Sequence, residues 1–399
     1  MTTRPPVQDS PTTALVLSGG GARAAYQVGV LQGIAEILRE ASFPSQHWPF
    51  ALLSGASAGA LNATYLASRA QDGLAAIDDL ARFWAQLHSP QVYRLHAPRW
   101  ARWSLLLAGW VLARQARQHR ALLDNTPLAD TLHRHIALTR IDEAMAAGTL
   151  QALTISASSY SSGHHWTFCQ TADPKRAPPE SQGPRRSSVQ PITIEHLLAS
   201  AAIPFLFRAV PLWVRQHREY FGDGSIRQTA PLSPALHLGA QRILAIGVGQ
   251  PVGEDLQDHA DEPLAGTIAA HTLAGVMSDQ LLTDVARAQR MNQAIAELPG
   301  PVQGAIPFRH VPILAIYPSA SLDDLALAHV QALPPATRAT LLGLNALEGV
   351  QRHSPQGGAA LASYLLFEPS FTQALLALGR RDALAQQAAI RHFFHMEVR

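Results

Sequence analysis

The 399-residue sequence predicts an α/β fold in which a mostly parallel sheet carries helices on its faces. Three observations lead there. Two strand-turn-helix units follow one another within the first seventy residues, which places consecutive strands side by side with helices crossing between them. Further short apolar runs recur as far as His310–Tyr317. Hydrophobic residues make up 47% of the chain and charged residues only 15%, which leaves ample material for a large core and excludes disorder by charge.

In chain order, Ala14-Leu15-Val16-Leu17 is a short apolar strand, and Ser18-Gly19-Gly20-Gly21 breaks it. Helical spacing from Ala24 to Arg39 sets Val28, Leu31, Ala35 and Leu38 on one face. Phe50 to Leu53 is the second strand, Ser54-Gly55 its turn, and Ala58 to Ala70 a helix of small residues. Ile77 to Thr139 reads as mostly helical, interrupted by Pro90, Pro98 and Pro127. Strands resume at Leu153–Ser156 and His165–Phe168, with Ser161-Ser162-Gly163 as a hairpin turn. Thr171 to Pro191, polar and rich in proline, reads as a loop.

Ile194 to Ala201 is a short helix stopped by Pro204, Arg242 to Gly247 a strand, and the chain from about Leu322 helical with turns at Pro334-Pro335 and Gly357-Gly358. With no internal repeat and no linker, the expected organisation is a core over 14–250 that holds a helical insertion at about 77–139 and the polar loop 171–191. The remainder, 251–399, adds one strand and a helical C-terminal region packed on that core.

Composition narrows function by exclusion. Cys169 is the single cysteine, so neither a disulfide framework nor a multi-cysteine metal site is available. The formal charge of +2, from 31 basic and 29 acidic residues, provides no global field for nucleic acid. Met1 to Thr13 is polar and proline-rich without the apolar core of a secretory signal. The longest uncharged apolar run, Trp103 to Ala113, falls well short of the ~20 residues that span a bilayer. A cytoplasmic chain, peripheral on a membrane at most, is the expectation.

Gly55-Ala56-Ser57-Ala58-Gly59 is the strongest chemical signal, a G-x-S-x-G set between a predicted strand and a predicted helix. Small flanking residues permit a sharp turn there, and the helix N-terminus behind Ser57 favours developing negative charge, so Ser57 is the candidate nucleophile. Gly19, Gly20 and Gly21 lack Cβ atoms, which lets backbone N–H groups converge as a pocket for an oxyanion, with Arg23 in the first turn that follows. The same glycines fit a dinucleotide fingerprint, but the second strand ends in Leu53-Ser54-Gly55 rather than in the acid that fingerprint needs. A base for Ser57 could be Asp223, between Gly222 and Gly224, although Asp-Gly is also an ordinary turn. Histidines after it, among them His237, His271 and His310, would suit a Ser-Asp-His order.

Four blocks taken together are more specific than any of these. SGGGARAAYQVGVLQGI, SGASAGALNA, ASAAIPFLFRAV and FGDGSIRQTAPLSPALHLGA resemble the bacterial patatin-like phospholipases in order, spacing and flanks, over roughly Ala14 to Val248. The resemblance implies a three-layer α/β/α hydrolase. It also implies a Ser-Asp dyad of Ser57 and Asp223, an oxyanion hole of Gly19, Gly20 and Gly21, and Arg23 as the basic residue supporting it, a mechanism that needs no metal or cofactor. Ala24 and Ser225 stand where the family often has glycine.

The implied substrate is a phospholipid or lysophospholipid acyl ester. Two rivals are an α/β-hydrolase-type esterase with a Ser-His-Asp triad and a catalytically silent lipid-binding protein. Trp100, Trp103 and Trp110, flanked by Arg99, Arg102 and Arg114, have the composition of an interfacial helix, and are candidate membrane contacts against the alternative of a buried helix.

Overall fold

The computed structural model describes residues 11–95, 121–249, 280–335, 337–338 and 358–396. Its strands in chain order are β1 (Thr13–Leu17), β2 (Leu52–Ala56), β3 (Ala152–Ser159), β4 (His165–Thr171), β5 (Ser181–Gln182), β6 (Arg185–Val189), β7 (Val210–Val214), β8 (His217–Gly222), β9 (Arg242–Ile246) and β10 (Ile313–Ile316). They form one sheet in the order β10-β9-β1-β2-β3-β4-β6-β5, with the β7–β8 hairpin attached to the end of β3. β10, β9, β1, β2 and β3 are all parallel. β1 therefore has an early strand on one side and a late strand on the other, and such reversals of strand order open a crevice at the carboxyl ends of strands.

The first strands are buried on both faces, as their uninterrupted apolar runs require. One face is covered by α1 (Ala25–Glu40), α2 (Ala58–Ser68) and α3 (Ala75–Ala85), together with the C-terminal helices Leu322–His329, Pro369–Ala385 and Gln387–Phe393. Leu15, Leu17, Leu53, Leu153 and Ile155 point into this larger core. The alternate residues Ala14, Val16, Leu52 and Ala152 pack on the other face, against the segments around Ser233–His237 and Leu281–Glu297.

The C-terminal helix Pro369–Ala385 lies directly on α1. Small residues let the two backbones touch: a Cβ on Gly29 would meet the Leu376 carbonyl at 2.1 Å, and one on Gly379 the Tyr26 carbonyl at 2.2 Å. Tyr26 donates to Asp382 at 2.9 Å across the same seam. The last helices thus complete the layer that the first helix begins.

One sequence expectation is corrected by the structure. The stretch 171–191 is not simply a loop, because β6 adds to β4 in parallel and β5 folds back on β6. Its polar composition suits an outer strand, and its prolines fall outside the paired segment Arg185–Val189. The hairpin β7–β8, unforeseen in sequence, turns at Arg215-Gln216 with positive φ at both residues. Trp100, Trp103 and Trp110 lie outside the described residues, as does His271. Among the described residues no helix is long and apolar enough to cross a membrane.

Candidate active site

β2 ends at Ala56 and α2 begins at Ala58, so Ser57 alone must turn the chain from strand to helix. It does so at φ 52° and ψ −130°, a strained conformation for a residue with a side chain. Flanking glycines are required by the approach of backbone: a Cβ on Gly55 would lie 2.4 Å from the Gly59 carbonyl oxygen, and one on Gly59 would lie 2.4 Å from that of Ser18. The turn is held from outside by Ser200, whose hydroxyl accepts from Ser57 N at 2.9 Å and donates to the Ser156 carbonyl at 2.6 Å.

Asp223 arrives from the far side of the sequence. β8 delivers it, its N–H donates to the Ala202 carbonyl at 2.9 Å, and Gly224 next to it passes so close to Ser156 that a Cβ would meet that carbonyl at 2.2 Å. The Asp223 carboxylate is wholly buried. One oxygen accepts from the Ser57 hydroxyl at 2.5 Å, and the other from the Ser225 amide at 2.8 Å. Burial pushes the Asp223 carboxyl up to about 6, with the Ser57 hydroxyl and the Ser225 amide working in the opposite direction.

The glycine loop lies against this pair. The point a Cβ on Gly19 would occupy is 2.9 Å from Ser57 Cβ and 2.1 Å from Ser225 Oγ, so the loop backbone is in contact with both. A Cβ on Gly20 would strike Val248 at 2.5 Å, and Gly21, at φ 56°, faces the Tyr364 carbonyl. Gln27 fixes the start of the loop by donating to the Ser18 carbonyl at 2.7 Å. Gln27 in turn accepts from Asn62, which accepts from Trp84. Ser225 Oγ is buried and finds no hydrogen-bond partner among the described residues, although it is near enough to Asp223 to help stabilise the charged carboxylate.

Arg23 follows the loop, but its guanidinium is engaged elsewhere. It pairs with Asp323, donates to Ser363 at 2.7 Å and lies over the Tyr364 ring at 4.4 Å. It ties the loop to the C-terminal helices. His237 bonds to Ser233 and His310 is exposed, and neither contacts Ser57 or Asp223. Ser200 and Asn62 were not singled out in the sequence, and Ser225 only as a departure from glycine; all three fall inside the four blocks above, which is the signal that could have drawn attention to them.

Ser57 opens onto a cavity of about 670 Å³, its mouth included, lined by residues such as Leu61, Leu80, Trp84, Leu132, Ile203 and Phe207. The lining is almost entirely apolar. His135 stands at its edge against the Phe83 ring, and burial, then Arg134 and Arg69, lower its basicity. Between Ile203 and Phe207, Phe205 projects into solvent, 79% exposed and at φ 64°. Its carbonyl is held by Leu122 N at 3.1 Å.

A buried serine hydroxyl and carboxylate meet at the carboxyl ends of the parallel strands, in a three-layer α/β/α architecture. A family model described as patatin-like phospholipase matches residues 15–236, and the chain belongs to that family. The fold is accordingly the patatin-like one, with a helical C-terminal region, and the family supports lipid hydrolase activity.

Among solved structures the chain is similar to VipD from Legionella pneumophila at 15% identity and TM-score 0.34, over 92% of this chain and 67% of that one. It is also similar to the ExoU–SpcU heterodimer of the Pseudomonas aeruginosa type III secretion system, at 15% identity and TM-score 0.27, over 89% of this chain and 74% of that one. No curated protein matches the chain.

Proposed function

We propose that the protein is a serine acyl hydrolase that uses Ser57 and Asp223 to cleave acyl esters of phospholipids or lysophospholipids. The observation that carries this reading is the 2.5 Å hydrogen bond from Ser57 Oγ to a wholly buried Asp223 carboxylate, beside a cavity with an apolar lining. Asp223 takes the hydroxyl proton as Ser57 Oγ attacks the ester carbonyl carbon. The carbonyl oxygen gains the negative charge, and N–H groups of Gly19, Gly20 and Gly21 receive it together with the N-terminus of α2. Collapse expels the alcohol, which takes the proton back from Asp223. Water, deprotonated by the same carboxylate, then attacks the acyl carbon, and the acyl–Oγ bond breaks as Asp223 returns the proton to Ser57 Oγ, releasing the fatty acid.

Burial serves this sequence in two ways. It raises the proton affinity of Asp223 toward that of a working base, and it strengthens the Ser57–Asp223 bond by excluding water. The apolar lining offers room for a hydrocarbon tail rather than for a polar acyl group. Arg23 serves as a support for the loop through Asp323, not as a ligand for the oxyanion.

Membrane access is part of the proposal. Phe205, 79% exposed between the cavity-lining Ile203 and Phe207, gives the surface near the cavity an aromatic contact for a lipid interface, in addition to the Trp100, Trp103 and Trp110 candidates. Product analysis by mass spectrometry on a mixed lipid extract tests the function. Fatty acid and lysolipid should form with the native chain and not with Ser57→Ala, and equal product from both would overturn the reading.

A further inference from the structure

A second cavity lies on the opposite face of the sheet, and its chemistry is the reverse of the first. β4 and β6 pair in parallel, so His165 stands beside Arg185, and Thr167 beside Ser187. His165 and Thr167 share the face of β4 that carries Cys169, which packs with Leu52 and Ala152 in the smaller core. The helix Ser233–His237 lies over them, and the cleft so formed, its opening to solvent included, is about 390 Å³.

Two polar features of this cavity lack a full complement of partners among the described residues. His165 is 6% exposed, and its Nδ1 has no hydrogen-bond partner among the described residues. Arg185 donates to Ser233 Oγ at 3.1 Å but makes no ion pair with a carboxylate among the described residues. The acid near enough to feel its charge, Asp284, is committed to Leu232 N at 3.0 Å and to Arg287 at 3.6 Å. A buried nitrogen without a partner is unfavourable, and a half-buried guanidinium without a carboxylate partner is available to an anion.

The hydrogen-bond roles leave donors for a ligand. His237 Nδ1 lies 2.8 Å from the Ser233 carbonyl, which can only accept, so that nitrogen carries the proton. Ser233 Oγ accepts from Arg185, and its own proton is not taken by His237. Burial, then the charge of Arg185, lower His165 to about 4, so the ring is neutral and donates from one nitrogen. A guanidinium fork, a hydroxyl and an imidazole lining one cavity are the kinds of group that take the oxygens of a tetrahedral anion.

We propose that the cavity between β4, β6 and the helix Ser233–His237 binds a phosphate-type oxyanion, with Arg185 as the charge partner and Ser233 and His165 as hydrogen-bond donors. The site is independent of Ser57 chemistry. The anion can be free phosphate or the phosphomonoester of a lipid headgroup, since both present the same oxygens.

Isothermal titration calorimetry on the full chain with inorganic phosphate, and separately with glycerol 3-phosphate, tests the site. Phosphate should bind saturably, and Arg185→Gln should weaken it by at least about tenfold. Ser233→Ala, which keeps the charge, should weaken it by about threefold and serves as the second variant if Arg185→Gln does not fold. Imidazole NMR supplies a readout that a structural role would not move. Phosphate should shift the His165 signals and raise its pKa by opposing Arg185, with His237 and Asp284 followed as the neighbouring groups.

Flotation with phosphatidylcholine vesicles, with and without phosphatidic acid, separates the two sources. Retention only with phosphatidic acid, lost in Arg185→Gln, assigns the headgroup, whereas phosphate binding without vesicle preference assigns the free anion. No binding of inorganic phosphate or glycerol 3-phosphate, or binding unchanged in both variants with His165 unmoved, would overturn the proposal.

Discussion

The first two strand-loop-helix units are built alike and use glycine for opposite purposes. β1 and β2 are adjacent and parallel, and each runs into a helix at the same edge of the sheet. After β1, glycines make room for parts of the chain that come from far away: Ser225, Val248 and Tyr364 occupy the space where side chains of Gly19, Gly20 and Gly21 would be. After β2, Gly55 and Gly59 make room for backbone that is close by in the same elbow or in the neighbouring loop, while the strained residue keeps its side chain. The difference is informative. On the proposed mechanism, the residues whose backbone N–H groups would do the work have no Cβ, whereas the residue whose hydroxyl would do the work keeps its side chain and accepts strain.

The largest test of this contrast is at the elbow. Ser57→Ala should lower turnover of a soluble ester by more than ~10³-fold, as loss of a nucleophile does elsewhere. Ser57→Gly should lose as much activity yet melt higher than Ser57→Ala, because glycine tolerates the positive φ at a relative gain of about 1 kcal/mol. Equal melting of the two would remove the strain argument.

Asp223→Asn should approach the same loss, of the order of 10³-fold, because the hydroxyl keeps a partner but has no base. In the native chain, kcat/KM should rise with pH through about 6, as the carboxylate becomes ionised, and level off above it. Stability should move the other way. The folded carboxyl holds its proton up to about 6 and the unfolded one only to about 4, so its contribution is full below about 4 and is lost as pH rises through 6. Asp223→Asn should therefore stabilise the fold at pH 8 by a few kcal/mol at most, with the gain fading toward pH 4, as followed by urea unfolding.

Gly19→Ala tests the other loop. The new Cβ would collide with Ser225 Oγ, the movable neighbour, and with Ser57 Cβ, so about 10²-fold of the rate should go with displacement of the loop N–H groups. Adding Ser225→Gly should restore part of it in ester assays, and no restoration would mean that the conflict lies with Ser57 alone. The smallest effect is expected for Ser200→Ala, which leaves Ser57 N without its acceptor and should cost about 1–3 kcal/mol of stability and about tenfold in rate.

Much of this was legible in the sequence for a local reason. An apolar run, a glycine break and an amphipathic helix determine strand, turn and helix through backbone sterics and residue spacing, so both units and the place of Ser57 could be read from fewer than seventy residues. Segments whose chemistry is shared with loops were not legible. β6 is polar because it is an outer strand, and the β7–β8 hairpin turns on Arg215-Gln216, which carry none of the usual turn residues.

The sequence by itself determined the α/β alternation, the elbow and the glycine loop, because each is a contest among neighbouring atoms. Tertiary structure alone decided what those parts meet. Ser57 and Asp223 are 166 residues apart, and only the attachment of β8 to the end of β3 brings carboxylate to hydroxyl. Arg23 reads as a site residue until packing pairs it with Asp323, 300 residues on, and turns it into a tether for the C-terminal helices. The physical reason is that a turn is set by the dihedral limits of a few residues, whereas a long-range pair depends on which buried surfaces fit once the whole sheet has closed.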